Sequence, residues 1–136
     1  MRRCAVLCVM VVTLVAIAYC RAPSVTFARG LYERNRALFE EARTAWLALP
    51  EEDRDVVQRR ALLESRLRQV GVDGVFCDRG RDRIRFPIWR GFSLTGGVAC
   101  YIIWATDAFW LAYEARPDPT RDYVAFGDGW GLLSDR

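Results

Sequence analysis

Arg83-Ile84-Arg85-Phe86-Pro87-Ile88-Trp89 alternates: Ile84, Phe86 and Ile88 fall on one side, Arg83, Arg85 and Pro87 on the other. A period of two marks a strand with one buried face. Pro87 has no N–H to give to a ladder, which predicts an edge strand. Just upstream, Val75-Phe76-Cys77 leads into the turn-rich Asp78-Arg79-Gly80-Arg81-Asp82, and the whole reads as a hairpin. Downstream, Phe92 and Leu94 read as a short strand that turns at Gly96-Gly97 into a strand from Val98 to Trp104. Asp107 to Tyr113 fits a helix or a strand equally. Pro117-Asp118-Pro119 is a loop, and Tyr123 to Phe126, Gly127-Asp128-Gly129 and Trp130 to Leu133 form a closing hairpin. The region is therefore expected to be an antiparallel β-meander.

Upstream the period changes to that of a helix. From Phe27 to Leu49, Ala28, Leu31, Asn35, Leu38, Ala42, Ala45 and Leu49 recur at alternating three- and four-residue spacing. Ser24 or Thr26 can cap the start. The stripe fits a heptad with Asn35 at a core position, but three alanines make a thin seam, which favours packing on the chain's own domain. Pro50 opens a second helix, with Glu51, Glu52 and Asp53 in its first turn where carboxylates offset the positive helix end. Val56, Arg60, Leu63, Leu67 and Val70 share one face, and Gly71 supplies the stop. Two amphipathic helices followed by an antiparallel sheet define a single small α+β domain over residues 24–136.

Residues 1–23 are of another kind. Arg2 and Arg3 precede a stretch from Cys4 to Cys20 that carries no charge. This is the layout of a signal peptide or membrane anchor, and the arginines are expected to stay on the cytoplasmic side. Ala16-Ile17-Ala18 matches a small-x-small cleavage site before Tyr19, the apolar run nears the length of a membrane span, and Cys20 would be the lipidated residue of a lipoprotein. Ser93 to Tyr113 is a second apolar stretch, with Asp107 its only charge. Gly96-Gly97, the β-branched and aromatic content and the cost of Asp107 in lipid make it soluble core.

Composition excludes much chemistry. All 20 basic residues are Arg, and neither Lys nor His occurs. Without His there is no imidazole base and no His-liganded metal; without Lys there is no Schiff base and no phosphate-loop lysine. Carboxylates, an unassisted thiol or arginine electrostatics remain. A net charge of +3 does not by itself imply nucleic acid.

The candidate binding residues are Arg81, Arg83, Arg85 and Arg90 with Trp89. Alternation puts Arg81, Arg83 and Arg85 on one side, a face suited to anionic headgroups or simply to solvent. Trp89, Trp104, Trp110 and Trp130 would line a ligand groove or pack a core. Cys77 and Cys100 sit in two strands of one sheet and form a candidate disulfide, whose loop closure would stabilise by about 3–4 kcal/mol; otherwise they are small buried hydrophobes. Asp78-x-Gly-x-Asp82 lacks the spacing of a calcium loop, and no metal or cofactor is expected.

Arg83-Ile84-Arg85-Phe86-Pro87, Gly96-Gly97 and Asp128-Gly129-Trp130 together resemble small uncharacterised bacterial proteins with one N-terminal apolar segment and a C-terminal antiparallel sheet. The resemblance covers residues 25–136 and implies an architecture and a location, not an activity. Three functions stay open. The first is a non-enzymatic exported or membrane-anchored envelope protein acting as an interaction module, facing outward or secreted after cleavage. The second is a module binding an amphipathic anion or lipid through its Trp and Arg surface. The third is a small carboxylate-based hydrolase.

Overall fold

The computed structural model describes residues 2–19, 22–93 and 96–135. Helix α1 spans Arg2–Tyr19, and its described side chains from Val6 to Leu14 are exposed. Among the described residues no helix is long and apolar enough to cross a membrane. Cys20 and Leu94 lie outside the described residues.

The helix expected from Phe27 to Leu49 is two helices, α2 (Val25–Arg34) and α3 (Arg36–Leu47). Ser24 caps α2 through its hydroxyl, which accepts from the Phe27 N–H. Asn35 makes the break. Its side-chain amide donates to the Leu31 carbonyl at 2.9 Å, while its main-chain N–H turns to Tyr32 at 3.1 Å. A short amide that satisfies the carbonyl four residues back competes with the helix ladder. The buried surface is wider than the predicted stripe: Tyr32, Phe39 and Trp46, seven residues apart, are buried beside Leu31, Leu38, Ala42 and Ala45. Leu49 is instead 69% exposed, because the residue before Pro50 is steered away from helical geometry.

Helix α4 runs Arg54–Gln69 and starts four residues later than Pro50. Asp53 is its cap, accepting from the Asp55 N–H at 2.8 Å. Leu63 and Leu67 are fully buried on the predicted face. Gly71, at φ 90°, ends the helix as expected.

The sheet is antiparallel, with β1 (Phe76–Cys77), β2 (Arg83–Ser93), β3 (Gly96–Ala105), β4 (Arg121–Gly127) and β5 (Trp130–Asp135) in the order β1-β2-β3-β5-β4. The stretch left open between helix and strand is α5 (Asp107–Ala115), with Thr106 as its cap and Asp107 in its first turn. The sheet departs from a simple meander because α5 carries the chain past the place of β5, putting β4 at the edge. The short strand expected at Phe92 is the continuation of β2, made continuous by a bulge between Pro87 and Trp89. β2 is not the edge strand that Pro87 predicted, since it lies between β1 and β3; Pro87 is tolerated there, buried, because β1 pairs only with Ile84 and Arg85 and leaves it no strand neighbour on that side. Its carbonyl accepts from the Asp73 N–H at 2.8 Å. The closing hairpin turns at Asp128-Gly129, both at positive φ, the geometry of a two-residue type I′ turn.

One sheet face packs on α2, α3 and α4. Ile84, Phe86, Ile102 and Trp130 are fully buried there with Phe39, Leu63 and Leu67. Phe86 meets Phe39 edge-on, centroids 5.1 Å apart, and the Trp130 indole donates to Glu40 Oε1 at 2.9 Å. Each such side chain contributes about 1.5–3 kcal/mol by leaving water. On the opposite face, where Tyr101, Ile103 and Leu133 alternate with those residues, α5 covers part of the sheet: Trp110 stacks on Tyr123, centroids 3.8 Å apart. Glycine is required beneath that stack, since a Cβ on Gly131 would lie 2.3 Å from the Tyr123 ring.

Candidate binding face

Three of the four arginines reach the face opposite α2–α4. Arg81 does not, because its left-handed backbone, φ 54°, turns it away from the strand. It bonds Glu51 and points Nη1 at the carbonyls of Trp46, Leu47 and Ala48, 3.3–3.5 Å away. Arg60 serves the same helix end: Nε donates to Ala45 O at 3.0 Å, and Nη2 to Trp46 O and Ala48 O at 3.1 and 3.2 Å. Helix α3 has no basic residue in its last turn, so these two arginines supply its capping donors.

Arg83 and Arg85 share one carboxylate. Asp78 Oδ2 accepts from Arg83 Nε, and Asp78 Oδ1 accepts from Arg85 Nη2 at 3.1 Å. The guanidinium of Arg83 lies 5.0 Å from the Phe109 ring centre, that of Arg85 5.7 Å from Tyr101. Burial, and then the positive charges of Arg85 and Arg121, lower the Arg83 guanidinium from its ordinary value; it still stays charged at neutral pH.

The bulge at Ile88 rearranges the rest. Strict alternation would set Trp89 beside Arg85 and send Arg90 inward. The bulge reverses both. Trp89 pairs with Cys100 and packs against Ala28, Cys100 and Leu132 on the helix-facing side. Its ring lies across Gly91, where a Cβ would come within 2.0 Å of it. Arg90, opposite Ala99, joins the Arg85 face, with its guanidinium 5.7 Å from the Phe76 ring.

Together these residues border a depression of about 410 Å³ lined by Phe76, Arg85, Arg90, Gly91, Ala99, Tyr101 and Asp135. Asp135 is held by Arg121 Nε at 3.1 Å. Arg85 Nε is buried and has no hydrogen-bond acceptor among the described residues. The apolar lining and the two guanidiniums can hold an anion; the single carboxylate, already paired, offers no acid–base pair.

The tryptophans do not form one groove. Trp130 is in the core, Trp104 lies under Arg43 with 5.2 Å to the ring centre, and Trp110 stacks on Tyr123. Cys77 and Cys100 are free thiols and are not brought together. Cys77 pairs with Ile84, which pairs with Trp104, four residues along β3 from Cys100. Two strand spacings and four residues put them about 16 Å apart, well beyond the reach of a disulfide. Burial raises both pKa values, which keeps them as unreactive thiols.

Sequence reasoning missed Tyr101 and Asp135, which only strand order brings beside Arg85. Arg60 did carry a signal: an arginine on the apolar stripe of a helix needs a buried partner. No protein-family model matches the chain, and no curated protein or solved structure is significantly similar to it.

Proposed function

We propose that the chain is a non-enzymatic, membrane-directed interaction module of the cell envelope: α1 inserts into lipid, and residues 24–136 act outside the cytoplasm on another envelope component. One observation carries this reading. The large apolar side chains from Val6 to Leu14 are 52–68% exposed, while the domain closes its core with its own helices and sheet. Apolar surface left in water costs about 25 cal/mol per Å², and lipid is the medium that removes the cost without a polar face. The helix has 18 residues, which rise about 27 Å, short of the roughly 30 Å hydrocarbon core, as the absence of a membrane-crossing helix among the described residues requires. It suits a targeting segment, cleaved or retained. Arg2 and Arg3 favour export of the domain C-terminal to the helix.

Reporter fusions after Arg136 test the location. A reporter active only outside the cytoplasm is expected to work, and its cytoplasm-only counterpart to stay silent. The reverse pattern would refute export.

A further inference from the structure

We infer that the depression bordered by Arg85 and Arg90 binds an amphipathic monoanion: one carboxylate or phosphodiester head on a short apolar body. Such binding does not depend on where the chain resides.

The charge comes first. Arg83 and Arg85 divide a single carboxylate, Asp78, whose two oxygens each serve one guanidinium. Arg85 is left with a buried Nε that has no acceptor among the described residues, so its charge is incompletely answered. Arg90 stands on the same face, with Asp73 only at the margin of contact, 3.9 Å away. Asp135 is bonded to Arg121 at 3.1 Å and cannot turn to either guanidinium without giving up that pair. Two arginines facing a gap are the donors that suit a planar or tetrahedral oxyanion.

The walls then decide what the anion carries. Phe76, Ala99 and Tyr101 supply an apolar floor, and Phe76, 44% exposed, is an aromatic ring turned to solvent at the rim. The volume of about 410 Å³ falls in the range of small-molecule sites, about 300–1,000 Å³. A small hydrated ion would leave this floor wet. A multiply charged ligand would bring negative charge against Asp135. One charge with a short chain or ring satisfies both walls.

The test uses the full chain and the Arg side-chain Nε–H signals in nitrogen-edited NMR. Octanoate is the free-amphiphile probe and monomeric dihexanoyl phosphatidylglycerol the lipid-headgroup probe; octanol and inorganic phosphate are the controls. The expected result is a saturable shift of the Arg85 and Arg90 signals with at least one amphiphile. Each control should bind at least about tenfold more weakly, a difference of about 1.4 kcal/mol. The tighter amphiphile identifies the source of the ligand. Arg90→Gln, an exposed position, should weaken binding about tenfold without altering the fold. Ala99→Leu, which fills the floor, should abolish it. Octanol or inorganic phosphate binding as tightly as both amphiphiles, unchanged binding by Arg90→Gln, or no shift with either amphiphile would overturn the inference.

Discussion

Replacing Arg60 by methionine tests how the domain is held together at its least obvious point. Methionine keeps the apolar stem but lacks the guanidinium that donates to Ala45, Trp46 and Ala48. A net hydrogen bond is worth about 1 kcal/mol, so three give about 3. Arg81 still points at Trp46 and Ala48, though at 3.4 and 3.5 Å, and water can reach freed carbonyls at this half-buried end. The expected loss is therefore about 2 kcal/mol. In a domain of this size each kcal/mol moves Tm by about 4–8 °C, so the melting point should fall by about 8–16 °C. Arg60→Lys should recover only part, because an ammonium cannot fork to three carbonyls. Urea unfolding of the Arg60→Met, Arg81→Gln and double variants completes the test. The double variant should lose more than the sum of the singles, since both side chains serve the same carbonyls. A loss below about 0.5 kcal/mol for Arg60→Met, the level of an ordinary surface change, would mean that Arg60 does not hold the end of α3.

Phe86→Ala should cost about 3–5 kcal/mol by chemical denaturation, because Phe86 is fully buried against Phe39 and Trp130. Trp130→Phe keeps most of the packing but removes the indole bond to Glu40 Oε1; with Arg43 still on the other carboxylate oxygen at 3.0 Å, it should cost about 1.5 kcal/mol, the low end for a bond to a charged group. Tyr123 is pushed by burial up to about 12; its neutral form is the one the fold prefers, so stability should be full below about pH 10 and decline as pH rises towards 12. Tyr123→Phe should flatten that decline in pH-dependent urea melts. Mass spectrometry of non-reduced peptides should find Cys77 and Cys100 unlinked to each other, with Cys100 the slower to alkylate in folded protein because it is 1% exposed.

Much of the fold was legible in local pattern. The alternation around Ile84 and Phe86, the Leu63–Leu67 face ended by Gly71, and the Asp128-Gly129 turn all reflect preferences that act within a few residues, and the structure keeps each of them. What escaped depends on contacts between elements. Asn35 breaks its helix because its own amide takes the Leu31 carbonyl, a choice that periodicity does not reveal. The bulge at Ile88 is supported by the Asp73 N–H on Pro87 and by the Trp89 ring over Gly91, and both supports come from folding. That one extra residue removes Trp89 from the predicted arginine face and delivers Arg90 to it. The strand order also lay beyond reach, since nothing local says that α5 carries β4 to the edge. The arginine cluster was thus legible as a group, while its division into capping, paired and cavity-lining members was not.

In the proposed function α1 enters lipid and the domain stays outside it. Flotation of the full chain with vesicles of phosphatidylethanolamine and phosphatidylglycerol tests this placement, comparing the wild type with a Val9→Asp, Val12→Asp variant. Both positions are exposed on α1, at 65% and 66%, so the variant should leave the domain's near-ultraviolet circular dichroism unchanged. Each aspartate costs up to about 3 kcal/mol in the bilayer centre. The wild type should float with the vesicles and the variant should stay behind. Equal flotation of the two, or a wild type that does not float, would contradict that placement.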